Sequence, residues 1–215
     1  MTEPSIYLRQ LELGPMQNFV YLVGDPATRE AAVVDPAWDV EAILDAARQD
    51  GYQIRHAFVT HTHVDHVNGV APLVEATDAR VHVQRDEARR LDVQAANVSA
   101  SDDEQTVRVG QVPVRLIHTP GHTPGSQCLL VGDRLLSGDT LFIGGCGRCD
   151  LPGGDAAELY RSLTQRLRRL DDGTVLLPGH HYAETPHSSL GQERQRNPFL
   201  QPSSVQEFLR LVGAA

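Results

Sequence analysis

Thr60-His61-Thr62-His63-Val64-Asp65-His66 follows an apolar, strand-like stretch, Ile54 to Thr60, and sets four good metal ligands within six residues. In an extended segment alternate side chains share a face, so His61, His63 and Asp65 are expected to point the same way. A turn before Asn68 then brings His66 to join them. Nitrogen donors with a carboxylate suit zinc, iron or manganese. Isolated histidines are usually packing or surface residues, and the chain has ten. It is the density of this run that marks a metal site. A helical H-E-x-x-H protease site is excluded, because it needs two histidines four apart with a glutamate after the first.

Three further ligand types sit where strands end, the places at which loops collect functional groups. His122 lies in Thr119-Pro120-Gly121-His122-Thr123-Pro124-Gly125-Ser126, whose prolines and glycines forbid a helix and impose a tight loop after the strand Val112 to His118. Asp139 follows the strand Arg134 to Ser137 in Ser137-Gly138-Asp139-Thr140. His180 follows the apolar stretch Thr174 to Pro178 in Leu177-Pro178-Gly179-His180-His181-Tyr182.

THTHVDH, the TPGHTPGS loop, SGDT and PGH, in that order, resemble the metallo-β-lactamase superfamily over essentially the whole chain. Within it the likeness is to short glyoxalase II-like thioesterases and to persulfide dioxygenases. The resemblance implies an αββα sandwich of α/β class. It implies one metal held by His61, His63 and His122, a second held by Asp65, His66 and His180, and Asp139 bridging the two. Asp65 is also the candidate catalytic residue. Two divalent ions about 3.5–4 Å apart can share a carboxylate, and a metal brings the pKa of bound water to roughly 7, which suits hydrolysis. The expected cofactor is therefore a pair of divalent ions, zinc first, with iron or manganese as alternatives.

Composition frames this reading. The chain, residues 1–215, is long enough for one substantial core and contains nothing resembling a linker, so it reads as a single domain. Its basic residues are all arginine, and the absence of lysine removes Schiff-base chemistry. A net charge of −9 argues against a nucleic-acid partner. Met1 to Gln10 lacks the pattern of a signal peptide, and no run approaches about 18–20 apolar residues, so a cytoplasmic location without membrane contact is expected. Three cysteines make no disulfide framework. Cys128 reads as a buried small hydrophobe. Cys146-Gly147-Arg148-Cys149 lies in a glycine-rich loop and resembles the family's G-C-G-R loop beside the metal centre more than a redox motif.

Ile6 to Leu13, Asn18 to Gly24 and Ala31 to Val34 read as strands. Val40, Ile43, Leu44 and Ala47 form a helical stripe within Asp39 to Asp50. Further helices are predicted after Asn68, with Pro72 in or near the first turn, from Asp155 to Leu170 with Leu159, Leu163, Leu167 and Leu170 inward, and from Ser204. His56, His82, His118 and His187 are assigned to packing, strand or surface roles, and His180 is preferred over His181 because the family's P-G-H pattern places the ligand there.

The resemblance to glyoxalase II implies that Arg148 and Tyr182 bind substrate, with an arginine able to grip a carboxylate by two prongs. The chain ends soon after His180, without the helical region that supplies further glutathione contacts in those enzymes, so another thioester is an expected possibility. Two reactions remain. One is hydrolysis of a thioester such as an S-acyl-glutathione. The other is oxidation of glutathione persulfide by one Fe(II) held by His61, His122 and Asp139, a two-histidine, one-carboxylate set. A β-lactamase reading is weaker, because Asp139 takes a bridging position that those enzymes usually fill otherwise.

Overall fold

The chain's apolar runs alternate in which side they bury. The computed structural model describes residues 5–214, so the first four residues of the Met1–Gln10 segment lie outside the described part. β1 (Tyr7–Leu13), β2 (Asn18–Gly24) and β3 (Glu30–Val34) pair antiparallel, and β4 (Gln53–Val59), β5 (Arg80–Gln84) and β6 (Val98–Ser101) extend the same sheet in parallel. A second sheet holds β7 (Thr106–Val109), β8 (Val112–His118), β9 (Gln127–Val131) and β10 (Arg134–Gly138). A small hairpin, β11 (Leu141–Phe142) with β12 (Gly145–Cys146), follows, and β13 (Val175–Pro178) joins the second sheet parallel to β10, with β14 (Ser188–Ser189) outside it.

Every residue of β2 is buried, because both of its faces are covered. Phe19, Tyr21 and Val23 enter the layer between the sheets, where Val114, Leu116, Leu129 and Leu136 meet them. Val20 and Leu22 face the other way, onto α1 (Val40–Gln49) and α3 (Val70–Thr77) through Ile43, Ala47, Val70 and Leu73. The second sheet's outer face is covered by α4 (Ala156–Arg161), the turn that continues it and α6 (Val205–Leu211), through Leu159, Leu163 and Phe208. Three apolar layers between helix, sheet, sheet and helix make the αββα sandwich. A one-turn helix, α2 (Val64–Val67), and α5 (Leu190–Arg196) complete the elements.

The predicted strands and helices are found within a residue or two, with one correction of form. The stretch from Asp155 to Leu170 is not one straight helix: α4 passes into a π turn, Ser162–Arg166, and a 3₁₀ turn, Leu167–Arg169. The π turn keeps Leu163 and Leu167 on the buried face with Leu159, while Leu170 only packs against its edge. Asp155 caps the start, accepting hydrogen bonds from the Ala157 and Glu158 backbone.

His56 and His82, on neighbouring strands, place ring nitrogens 3.0 Å apart beside Phe58 of the inter-sheet layer. Burial, then the neighbouring His56 and Arg80, pushes His82 down to about 4 from 6.5. Between those pH values the unfolded chain takes up a proton that the folded His82 refuses, so stability falls as pH falls through that window, by roughly 3 kcal/mol at most. Denaturant titrations from pH 7 to 4.5 should show a shallower decline for His82→Leu than for the wild type. Identical declines would remove His82 from the acid response.

Candidate metal centre

The histidine run begins where β4 ends. His61 and His63 keep the alternation of an extended chain, and His63 (φ −65°, ψ 145°) is the last extended residue before α2. Here the structure corrects the expectation of one shared face for His61, His63 and Asp65. The helical turn takes Asp65 off that face while His66 stays beside His61 and Asp35, and it lets two adjacent side chains converge, as an extended chain would not. Asp65 joins His66 and His180, while His61 and His63 join His122.

In the first group His63 Nδ1 lies 3.1 Å from His61 Nε2 and 3.0 Å from His122 Nε2. The outward nitrogens decide which inward ones carry lone pairs. His122 Nδ1 is 2.6 Å from the Arg148 carbonyl, which can only accept, so Nδ1 carries the proton and Nε2 is free. Thr60 Oγ1 donates to Asp35 Oδ2 at 2.6 Å, so it is left to accept from His61 Nδ1 at 3.1 Å.

The second group repeats the design. His180 Nδ1 donates to the Met16 carbonyl at 2.9 Å and His66 Nδ1 to Asp35 Oδ2 at 2.9 Å. Their Nε2 atoms stand 3.1 Å apart, each 3.4 Å from Asp65 Oδ2. Asn18 fixes that carboxylate through its side-chain amide at 3.0 Å.

Asp139 lies between the groups, with Oδ1 3.4 Å from His66 Nε2 and Oδ2 3.6 Å from His122 Nε2 and 3.5 Å from His180 Nε2. Two glycines allow this approach. A Cβ at Gly147 would collide with the Asp139 carbonyl, and one at Gly179 would sit 2.6 Å from Asp139 Oδ1. That Oδ1 is buried without a hydrogen-bond partner. An orphaned carboxylate oxygen among converging ring nitrogens fits a cation, and the donor set is a metal-binding cluster of histidine and aspartate.

The charges within the cluster follow from these contacts. Burial opposes ionisation of Asp139, yet His66, His180 and His61 hold its carboxyl well below the usual range. Asp65 is held low against its own burial by His180, His66 and Asn18. Burial, reinforced by neighbouring histidines, lowers His61 and His63. Against burial, the carboxylates raise His66 and push His180 up to about 10.

Reasoning from the chain alone missed the residues that hold this arrangement. Asp35 binds the Thr60 backbone at 2.7 Å, the Thr60 hydroxyl and His66, and it adopts a left-handed φ of 51° to do so. Its signal was visible: it directly follows the apolar run of β3, as the other strand-end ligand types follow theirs. Glu87, fully buried, accepts from the Thr62 backbone and hydroxyl at 2.7 and 2.9 Å and from the Gly125 backbone at 3.4 Å, tying together the loops of His61 and His122.

Arg148 grips Asp150 with two hydrogen bonds of 2.9 and 2.8 Å, its side chain exposed. Tyr182 stacks on His180 at 4.7 Å and packs against Phe142 at 5.5 Å. His181 turns outward to Glu12 at 2.8 Å, and His118 bonds the Pro124 carbonyl at 2.9 Å. Cys128 is buried, and burial pushes Cys146 up to about 12, the reverse of an activated thiol.

This sandwich, with its strand-end cluster of histidines and aspartates, belongs to the metallo-beta-lactamase superfamily, whose model matches residues 13–180. The chain is 31% identical over 193 residues to the probable polyketide biosynthesis zinc-dependent hydrolase PksB of Bacillus subtilis, covering 90% of this chain and 86% of that one. It is 37% identical over 189 residues to the hydroxyacylglutathione hydrolase of Nitrosococcus oceani, covering 85% and 68%. It is 31% identical over 217 residues to human mitochondrial persulfide dioxygenase ETHE1, covering 97% and 81%. The crystal structure of ETHE1 from Myxococcus xanthus superposes with a TM-score of 0.88 at 35% identity, covering 96% and 90%. No helix among the described residues is long and apolar enough to cross a membrane.

Because Asp35 orients His66 and, through Thr60, His61, Asp35→Ala should weaken metal binding by about 10–100-fold. Competition with a chromophoric chelator measures this directly. Unaltered affinity would show that the histidines keep their orientation without it.

Proposed function

We propose that the protein is a dinuclear metal hydrolase that cleaves a thioester such as an S-acyl-glutathione. The observation that carries this reading is Asp139, set between two complete three-donor groups with one carboxylate oxygen unsatisfied. His61, His63 and His122 would hold one ion, Asp65, His66 and His180 the other, and Asp139 would touch both. Two divalent ions bound there, zinc or alternatively iron or manganese, bring the pKa of water to about 7 and polarise a carbonyl.

The chain's own residues do the positioning. The carbonyls of Met16 and Arg148 and the Asp35–Thr60 pair keep the outward nitrogens protonated, so the inward ones remain donors. Asp65, ionised and anchored by Asn18, is the candidate acceptor for a proton leaving water as the acyl carbon–sulfur bond gives way to a carbon–oxygen bond. The products are a carboxylic acid and a thiol. Tyr182, stacked on His180, and Arg148, whose backbone carbonyl accepts from His122, are the proposed substrate contacts.

A second reading draws support from the 31% identity to a persulfide dioxygenase over 97% of the chain. There one Fe(II) would rest on His61, His122 and Asp139, leaving positions for O₂ and a glutathione persulfide.

The two part company at the second donor group. His66→Ala or His180→Ala should lower metal content from two per chain toward one and abolish thioester cleavage, and cleavage by the wild type should proceed without O₂. One iron per chain, O₂ uptake on glutathione persulfide and no thioester cleavage would select the dioxygenase. Arg148→Ala should raise KM several-fold with kcat nearly kept, since its backbone carbonyl, not its side chain, fixes His122. A fall in kcat alone would place the side chain in the chemistry.

A further inference from the structure

The π and 3₁₀ turns that continue α4 enclose a cavity of about 390 Å³ together with α5 and residues 200–203, which lead into α6. That volume falls among small-molecule sites, roughly 300–1,000 Å³. None of the seven donor residues of the metal centre lines it. Its floor is apolar: Leu141, Leu163, Leu167 and Leu190 are buried members of one packed cluster, and Tyr160 and Leu200 lie against that cluster. Leu163 comes from the π turn itself, a form of helix that is rare and recurs at functional sites.

The walls are fastened independently of any ligand. Glu193 of α5 accepts from the Gly144 backbone at 2.8 Å, and Asn197 donates to the Phe142 and Gly145 carbonyls at 3.1 and 3.0 Å, which ties that end of the cavity to the β11–β12 hairpin. Arg194 donates to the Leu167 and Leu170 carbonyls at 3.2 and 2.6 Å and so braces α5 against the facing turn. A cavity framed in this way loses little conformational freedom when it is filled.

Charge then selects the ligand. The chain carries a net charge of −9, yet the cavity is lined by two arginines, Arg168 and Arg194, and by no aspartate or glutamate. Arg194 pairs with Asp172, just as Arg161 and Arg166 of the same stretch pair with Glu158 and Asp103. Arg168 is exposed at the mouth and has no ion pair or side-chain hydrogen bond among the described residues. A small inorganic anion would leave the leucine floor unused, and a plain hydrocarbon would leave the arginine unused. An alkyl chain that ends in a carboxylate uses both, because the guanidinium fork matches a carboxylate.

We propose that this cavity is a second binding site, separate from the metal centre, which takes an aliphatic monocarboxylate with its chain on Leu141, Leu163, Leu167 and Leu190 and its carboxylate on Arg168. The site stands apart from the choice between hydrolase and dioxygenase, since no metal donor lines it.

The protein as purified, with its leucine methyl groups ¹³C-labelled, can be titrated with butanoate, hexanoate and octanoate, and with 1-octanol as the uncharged counterpart. Octanoate should shift the Leu163, Leu167 and Leu200 methyl signals saturably, and the dissociation constant should fall about twofold to fourfold per added methylene. Arg168→Gln, at an exposed position that the core does not need, should weaken octanoate by about twofold to fivefold and leave 1-octanol unchanged. An equal effect of Arg168→Gln on both ligands, or none on either, would remove the carboxylate from the proposal and overturn it. So would octanoate binding that leaves these three leucines unmoved, as expected of a carboxylate that merely ligates the metal centre, or affinity that is independent of chain length.

Discussion

Five imidazole nitrogens and two carboxylates are packed into one buried space with separations of 3.0 to 3.6 Å. Lone pairs facing one another at such distances repel, and a buried carboxylate oxygen without a donor costs about 1–3 kcal/mol or more if charged. Cations relieve both at once, and the rest of the centre is organised to require them. Each hydrogen bond from an outward nitrogen to a carbonyl, hydroxyl or carboxylate selects the tautomer whose inward nitrogen carries the lone pair, and a bound cation would replace the proton that the carboxylates favour on His66 and His180. The neighbours thereby turn histidines into ligands.

The fold supplies the rigid supports. The ends of β3, β4, β10 and β13 meet along one edge of the sandwich, where Gln127 donates to the Thr60 carbonyl at 2.8 Å and Gly179 to the Gly138 carbonyl at 2.9 Å. Asp35 sits on the first sheet and Asp139 on the second, and the inter-sheet layer of Phe19, Phe58, Leu116 and Leu136 holds the sheets in register behind them. Displacing either sheet by an ångström would separate the two donor groups from their shared carboxylate. The centre therefore depends on core packing as much as on its ligands.

Much of this was legible in the chain because its periodicities are local. The seven donor side chains stand at strand ends that apolar runs and Gly or Pro residues announce, and α1 shows its stripe at Ile43 and Ala47. What could not be read is long-range. Whether Asp65 would share a face with His61 depended on a four-residue helix too short to carry a periodic signal. Asp35 announces itself only by its place after β3, and its partners, like that of Glu87, appear only when Thr60 and Thr62 are brought in from 25 residues away.

Anomalous X-ray scattering from crystals of the protein purified without added metal would test the paired centre most directly. A paired centre would give two peaks about 3.5–4 Å apart astride Asp139, one near His63 and the other near Asp65. A single peak bound by His61, His122 and Asp139, with His66 and His180 clear of it, would contradict it.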